Sequence, residues 1–421
     1  MNGYDMHQFS QALRRLISSG RVTCGRLWRS RPRGSPYPDR TQDQGGEIRI
    51  GGQPRAAVQR FIPGSLAVLL LLLVAPTGHA SSQGRLAAPL VQLPHDDAMH
   101  PSAGFEWWYI VGHLHDARGH RYGYETVVFR LPRLKSQVPA THLDEVYRVD
   151  SAITDESGRS FSGGTRSFAA QPGQTRMSAT ALDIQVGLVR MARVRTTPLL
   201  TYQVQSTAPD GASLALTLQS TKPPLLVGGS GYVAFGSYES TYYYSLTHLA
   251  TTGVLRRPGV HQATPVSGIS WMDHQWGAGA NAGTTGWAWM ALQLANGMDL
   301  NLYELRTVTG ATIRLNTISM PDGRQIVVHD SALTTLGRWR SSWSHTTYPA
   351  GWHVVVPGIK LDVRVQPTVA DQEIRERFAP ETSYWEGSCS VAGTLRGQVI
   401  SGMAYTELVG YGAHSAVLGG T

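Results

Sequence analysis

Apolar and polar residues alternate with a period of two through much of the chain after about residue 88. Clear examples are LALTLQS (214–220), LNLYELR (300–306), ATIRL (311–315) and LDVRVQP (361–367). Because successive side chains of a strand point to opposite faces, each segment predicts a strand with one buried and one solvated face. No long segment with a helical period follows residue 88. The alternation therefore predicts an all-β protein.

Turns that carry glycine separate these strands at regular intervals, as hairpins require. They are HDARG (115–119), DESGR (155–159), APDGA (208–212), ANGMD (295–299) and PDGRQ (321–325). Proline and arginine interrupt the rhythm in LRRPGVHQATPVS, residues 255–267. We therefore predict two tandem β-barrel or sandwich domains, at 88–262 and 263–421, each long enough for a core of its own.

Residues 1–80 have a different character. The apolar run LAVLLLLLVA (66–75) follows Arg55 and Arg60, and Gly78 and Ala80 precede the serines of PTGHASS. A run of about ten apolar residues is short for a membrane span, so we predict a signal peptide cleaved near Ala80 and a periplasmic or secreted protein. An uncleaved membrane anchor is the alternative. The long basic segment before the run also suggests that translation starts further downstream, near position 58.

The predicted leader, residues 1–80, also explains the net charge of the chain. It contains eleven arginines, no lysine and four acidic residues, which accounts for nearly all of the net charge of +8. The remainder is close to neutral, which argues against a nucleic-acid partner. Cys24 lies in the leader and Cys389 is the other cysteine, so the mature chain has no cysteine pair for a disulfide.

The stretch GFEWWYIVGHLHD (104–116) places a carboxylate among aromatic rings. On a strand, Glu106 and Trp108 share one face, and Trp107 and Tyr109 share the other. A carboxyl group buried there either pairs with a donor or keeps its proton, and a general acid needs the proton. A structural glutamate bound by an arginine or a backbone amide is the alternative.

A second aromatic stretch, SGISWMDHQWG (267–277), combines an acid and an imidazole with two indoles. A straight strand places Asp273 and Gln275 on one face and His274 and Trp276 on the other. His274 would then line a cavity beside Trp276 and transfer a proton, and Asp273 would position a neighbouring group. The alternative is a packed indole cluster at a domain junction.

Three further patterns are candidates for a site. DLNLYEL (299–305) places Asn301 and Tyr303 on one face of a strand. Further along the chain, YWEG (384–387) is followed by GMAYTELVGY (402–411), which places Tyr405 and Glu407 on one face. A hydrogen-bonded core network explains such patterns equally well. His113 and His115 have the spacing of two zinc ligands, but a third ligand would have to come from elsewhere and the pair runs into a half-exposed turn, so we predict no metal. The chain has no G-x-S-x-G, H-E-x-x-H or Walker motif.

Several of these motifs, in this order, carry a resemblance. EWWYIVGHL, WMDHQWG, YWEG and GMAYTELVGY resemble the secreted AttH/CrtC-like family, which contains bacterial carotenoid 1,2-hydratase, over about residues 88–415. The resemblance implies two lipocalin-like β domains. It also implies addition of water to the terminal double bond of an acyclic isoprenoid without a cofactor.

Position by position, the resemblance points to His274 and Trp276, and to the strand of Asn301 and Tyr303. Hydration of an alkene needs an acid and aromatic faces that stabilise the cation. The candidate catalytic residues are therefore Asp273, His274, Tyr303 and Glu106, and the candidate ligand-binding residues are Trp107, Trp108, Trp276, Asn301 and Tyr405. One position departs from the family pattern: Gln275 stands where a glutamate is usual.

The function predicted from these residues is hydration of a long isoprenoid, polyene or lipid. A hydrophobic small molecule is the expected partner, with no cofactor, and with the membrane contacted only through the signal segment. The alternatives are a carrier of hydrophobic ligands and a secreted hydrolase. Fold resemblance does not choose among them, because function depends on the site.

Overall fold

A computed structural model describes residues 91–131, 145–235, 239–277, 283–377 and 380–412. The predicted leader and its cleavage site lie outside these residues. Within the described part, no helix has the length and apolar character needed to cross a membrane. The helical elements there are four short 3₁₀ turns, at His95–Asp97, Val227–Gly229, Pro357–Ile359 and Pro380–Thr382.

Thirteen strands form the first sheet, which curls into a nearly closed barrel. In chain order they are β1 (Phe105–His115), β2 (Arg121–Leu131), β3 (Val146–Asp155), β4 (Ser160–Ala169), β5 (Thr175–Met177), β6 (Asp183–Val186), β7 (Val189–Arg195), β8 (Thr201–Thr207), β9 (Ser213–Ser220), β10 (Leu225–Leu226), β11 (Tyr232–Phe235), β12 (Glu239–Arg256) and β13 (Thr264–Gly277). Their order across the sheet is β4-β3-β2-β1-β13-β12-β9-β8-β7-β6-β5, and β10 and β11 also pair with β12.

Ten strands form the second sheet, a half-barrel, and two more form a separate ribbon. They are β14 (Thr284–Leu294), β15 (Asp299–Thr307), β16 (Thr312–Ser319), β17 (Gln325–Val328), β18 (Ala332–Thr335), β19 (Arg338–Arg340), β20 (Thr347–Pro349), β21 (Trp352–Val356), β22 (Leu361–Pro367), β23 (Glu373–Ile374), β24 (Tyr384–Leu395) and β25 (Gln398–Val409). The order across the sheet is β17-β16-β15-β14-β25-β24-β22-β21-β18, β23 pairs with β24, and β19 and β20 form the ribbon.

The predicted all-β class with two β domains is confirmed. The chain passes from one sheet to the other after Gly277, later than the boundary predicted at 262/263. The segment 255–267 that suggested the boundary belongs to the β12–β13 hairpin. Its two long strands share 13 backbone partners, so β13 belongs to the first sheet.

Four of the five predicted turns use glycine as expected. Gly119, Gly211, Gly297 and Gly323 adopt positive φ, a conformation that costs glycine little. In the remaining turn, DESGR (155–159), Arg159 takes the positive φ instead, and the amide of Gly158 donates to Asp155 Oδ1 at 2.6 Å.

A third apolar cluster lies where the two sheets face each other, in addition to a core inside each domain. It combines Tyr109 and Trp271 of the first sheet with Trp289, Tyr303 and Tyr405 of the second. Hydrogen bonds also cross this junction, for example from the Tyr109 hydroxyl to Glu386 Oε1 at 2.6 Å. The aromatic motifs from distant parts of the sequence therefore meet between the sheets.

Candidate active site between the two sheets

The pairing of β1 with β13 sorts the two aromatic motifs onto two faces. Glu106 is paired with Trp276 and Trp108 with His274, whereas Trp107 is paired with Gln275 and Tyr109 with Asp273. Paired residues of antiparallel strands project to the same side, and this register continues without a bulge through both motifs. The sequence therefore supplies two separate clusters.

The first cluster faces the interior of the barrel and is built around Glu106. Its Oε1 lies 2.9 Å from His274 Nε2 and 2.8 Å from His100 Nδ1, and the backbone amide of His100 lies within 3.1 Å of both carboxylate oxygens. Arg130 Nη1 is 3.6 Å from Oε2. Burial acts to raise the pKa of Glu106, but the hydrogen bonds from the two histidines outweigh it and hold the pKa below its ordinary value. Glu106 is therefore an ionised acceptor and a poor proton donor.

His274 is held between rings. Its Nδ1 donates to the carbonyl oxygen of Asp96 at 3.0 Å, and its Nε2 lies 2.9 Å from Glu106 Oε1. Burial lowers the pKa of His274, and the carboxylate of Glu106 acts in the opposite direction. The imidazole stacks on Trp108 at 4.7 Å between centroids, and His100 stacks on Trp276 at 4.0 Å. His274, Glu106 and Trp108 have no exposed surface. This cluster is a packed core network.

Among the residues that the structure describes, this cluster also contains a group of possible metal ligands. His100, Glu106 and His274 offer ligand atoms that all lie within 4.8 Å of one another. Imidazole and carboxylate suit zinc and similar ions. Hydrogen bonds already occupy Nδ1 of His100, both ring nitrogens of His274 and both carboxylate oxygens of Glu106, and we assign no metal to them.

The second cluster lines a pocket between the sheets. Its cavity volume is only about 40 Å³. The pocket is therefore narrow. It is lined by Phe105, Trp107, Tyr109, Phe129, Arg130, Leu131, Tyr243, Asp273 and Gln275 from the first sheet and by Trp287, Trp289, Tyr303 and Glu407 from the second.

Asp273 is the buried carboxyl group of this pocket, with 4% of its surface exposed. Trp271 Nε1 donates to its Oδ1 at 2.6 Å, and the hydroxyl of Tyr243 donates to its Oδ2 in a short hydrogen bond. The side chain of Ser245 is a third donor. Burial raises the pKa of Asp273 to about 7, although these three hydrogen bonds oppose the rise. Both protonation states are therefore accessible near neutral pH.

Asn301 supports Asp273 from the second sheet. Its Nδ2 donates to the hydroxyl of Tyr243 at 3.0 Å and to Oγ of Ser245 at 3.3 Å. Both acceptors are themselves donors to Asp273. Asn301 therefore orients the donors of the carboxyl group.

Glu407 is the second carboxyl group of the pocket and comes from the second sheet. Trp287 Nε1 donates to its Oε2 at 2.7 Å. Burial raises the pKa of Glu407 to about 8, the hydrogen bond from Trp287 lowers it, and the negative charge of Asp273 raises it further. Two carboxyl groups with raised pKa values thus line one aromatic pocket.

More buried acids lie behind the pocket. Tyr109, which lines the pocket, donates to Glu386, and the hydroxyl of Tyr384 contacts Glu125 Oε1 and Asp150 Oδ2, each at 2.8 Å. Burial and the neighbouring acids raise the pKa of Glu386 and of Glu125 well above the ordinary value. This region therefore favours protonated carboxyl groups.

The structure divides the predicted site residues between the two clusters. Asp273, Tyr303 and Trp107 line the pocket, and Asn301 lies directly behind Asp273. Tyr405 lies deeper between the sheets, with its ring 5.8 Å from that of His113. The remaining four residues form the packed cluster inside the barrel: Glu106, His274, Trp108 and Trp276.

His113 and His115 do not converge on a common ligand position. His113 is buried and contacts Glu156 Oε1 at 3.4 Å, whereas His115 is exposed and contacts Ser267 Oγ at 3.3 Å. Gln275, the departure from the family pattern, lines the pocket, and its Nε2 donates to Thr241 Oγ1 at 3.0 Å.

Sequence reasoning did not select several pocket residues, above all Glu407, Tyr243 and Trp287. Glu407 lies on a face that was assigned to a possible core network, and its pairing with Trp289 across β14 and β25 joins segments more than a hundred residues apart. The signal that could have identified Glu407 is an acidic residue that shares one strand face with tyrosines.

Comparisons with known proteins agree with this architecture. The profile of the AttH-like family matches residues 85–411. A protein named dehydratase AsqC, from Emericella nidulans, is 28% identical over 218 residues, which cover 50% of this chain and 61% of the dehydratase. The match thus spans less than two thirds of that protein.

Two crystal structures share the fold. One, an AttH protein of Nitrosomonas europaea by its description, has a TM-score of 0.68 at 24% identity, and the match covers 77% of this chain and 98% of that protein. The other, kievitone hydratase of Nectria haematococca, has a TM-score of 0.61 at 17% identity, and the match covers 77% of this chain and 94% of that protein. The resemblance seen in the sequence motifs is confirmed, and the chain belongs to the AttH-like family.

Proposed function

We propose that this protein is a hydro-lyase that adds water to, or removes water from, a carbon–carbon bond of a hydrophobic substrate bound between the two sheets. The observation that carries the proposal is the carboxyl group of Asp273, buried in an aromatic pocket with a pKa of about 7. Such a group exchanges a proton at neutral pH, and this reaction requires proton exchange.

The pocket walls suit the intermediate of this chemistry. Protonation of an alkene leaves a carbocation, and the face of an aromatic ring attracts a cation by about 0.5–2 kcal/mol. Trp107, Trp287, Trp289 and Tyr303 contribute such rings. Of the described residues that line the pocket, none is a serine, threonine, cysteine or lysine, which argues against a hydrolase that forms its covalent intermediate on one of these side chains.

The lining of the pocket indicates the substrate class. Aromatic walls suit the end of a long unsaturated chain, such as an isoprenoid or polyene, and they must separate to admit it, because the cavity volume is only about 40 Å³. The hydratase and dehydratase among the similar proteins support this reaction class. The apolar run at 66–75 supports export, which N-terminal sequencing of the mature protein tests.

The test is a substrate screen with the purified protein. Acyclic isoprenoids, polyenes and their tertiary alcohols are incubated with the wild type and with Asp273→Asn, and mass spectrometry detects gain or loss of one water. Asp322→Asn is the matched control, because Asp322 has a side chain 65% exposed on a distant turn. We expect turnover by the wild type and the control and at least about a 100-fold loss in Asp273→Asn. Binding without product in the wild type would instead identify a carrier.

A further inference from the structure

The two carboxyl groups of the pocket differ in their hydrogen bonds. Asp273 receives three donors, from Trp271, Tyr243 and Ser245. An indole N–H can only donate, so the Oδ1 of Asp273 must act as an acceptor there. Donors of this kind stabilise the ionised form of a carboxyl group. In the described part of the chain, Glu407 has one donor, Trp287 Nε1.

The two groups come from different sheets and are linked through rings. Glu407 is the cross-strand partner of Trp289, which meets Trp271 edge to face at 6.1 Å, and Trp271 is hydrogen-bonded to Asp273. Asp273 is almost fully buried, whereas Glu407 is partly exposed in the pocket. A substrate between the sheets would thus meet one carboxyl group from each domain.

We infer that Glu407 is the proton donor to the alkene carbon and that the Asp273 carboxylate is the base that takes a proton from the attacking water. This inference rests on the proposed function. It makes the site composite, because each domain supplies one of the two groups.

The reaction balances with these two groups alone. The π electrons of the alkene form a C–H bond with the proton of Glu407, which leaves a carboxylate on Glu407 and a carbocation on the substrate. A lone pair of water then forms the C–O bond, and Asp273 accepts a proton from that water. The product is an alcohol, and a proton passes from Asp273 back to Glu407 to restore the starting state. Dehydration is the same sequence in reverse.

The surroundings of Glu407 support a protonated group. Acids and hydroxyls act on it from several strands. Arg148 is a cation that lowers the pKa of Glu407, and a second cation, Arg130, lines the pocket and is paired with Glu145 at 2.9 Å. The groups concerned are Tyr109 on β1, Glu125 on β2, Arg148 and Asp150 on β3, Asp273 on β13, Trp287 on β14 and Glu386 on β24. The excess of acids over cations disfavours another negative charge.

The kinetic test is the pH profile of kcat/KM in the hydration direction. The wild-type profile should be bell-shaped. Ionisation of Asp273 sets the acid limb, and loss of the proton from Glu407 sets the alkaline limb. Glu407→Gln keeps the acceptor for Trp287; it should lower kcat/KM at least about 100-fold and remove the alkaline limb. Glu407→Asp should recover part of the activity together with that limb. A wild-type profile in Glu407→Gln, or loss of the acid limb instead, would overturn the inference.

A second test needs no substrate. Carboxyl carbons are labelled with ¹³C in the full-length protein, and the resonance of Glu407 is assigned by its absence in Glu407→Gln. We expect Glu407 to titrate above neutral pH, and to titrate at lower pH in Asp273→Asn, where the nearby charge is removed. A Glu407 that is ionised throughout the neutral range would refute the inference even if turnover is found. Failure to find turnover, with this titration intact, would instead count against the proposed function.

Discussion

Removal of one hydrogen bond to Asp273 should shift the pH dependence of the proposed reaction. In Tyr243→Phe the carboxyl group loses the short hydrogen bond from the Tyr243 hydroxyl and keeps the donors Trp271 and Ser245. A hydrogen bond to a charged group contributes about 1.5–3 kcal/mol, and one pKa unit corresponds to about 1.4 kcal/mol. The pKa of Asp273 should therefore rise from about 7 by about one to two units.

The effect on the rate follows from the ionised fraction. If the Asp273 carboxylate is the base, that fraction at pH 7 falls from about one half to between about 1 and 10%. We expect kcat/KM at pH 7 to fall by about 5- to 50-fold and to recover only in part as the pH is raised, because Glu407, with a pKa of about 8, loses its proton in the same range. The assay is the pH profile of kcat/KM for the substrate found in the screen.

A matched control exists on the same strand. Tyr242 neighbours Tyr243 but faces the other side of the sheet, where its ring stacks on Trp276 at 5.3 Å. Tyr242→Phe should leave the profile unchanged. An unchanged profile in Tyr243→Phe, or a shift of its acid limb toward lower pH, would refute the role given to Asp273.

The remaining predictions concern stability and the pocket walls. Burial raises the pKa values of Asp273 and Glu407 in the folded state above their unfolded values, so the folded protein binds more protons than the unfolded chain between about pH 4 and 8. The free energy of unfolding should therefore fall as pH rises through this range, by up to about 1.4 kcal/mol per pH unit for each group. Urea unfolding at several pH values measures this slope, and a slope that Glu407→Gln leaves unchanged would contradict the prediction. Glu106→Gln removes the negative charge that pairs with the histidines of a buried network and should cost about 3–5 kcal/mol of unfolding free energy, more than Glu407→Gln. Full stability combined with loss of turnover would place Glu106 in the active site instead. Trp289→Leu should lower turnover about 2- to 30-fold through loss of an aromatic face, whereas Trp289→Phe should retain most of it; equal rates in both variants would argue against stabilisation of a cation.

Strand periodicity was sufficient to predict much of the fold. Alternation over 300–306 predicted β15, and the glycine turns predicted the hairpins, because side-chain period and turn geometry are local properties. The domain boundary was less accessible. Pro258 and Gly259 resemble a linker, but they lie between two long strands of one sheet, and strand pairing is not a local property.

The site was predictable in part. Period two alone separated Asp273 from His274, and the structure places them on opposite faces of β13. The sequence did not indicate which face meets the second sheet, so His274 and Glu106 were considered together with Asp273. Glu407 could not be placed, because its proximity to the pocket depends on the packing of β25 and β14 against the first sheet.

Turnover in isotopically labelled water tests most directly whether carboxyl groups in the pocket between the sheets move the protons of a hydration. Wild-type protein and Asp322→Asn should incorporate one labelled oxygen into the substrate, and Asp273→Asn, folded and still able to bind it, should incorporate almost none. Equal incorporation by Asp273→Asn would contradict the account and place the chemistry elsewhere in the molecule.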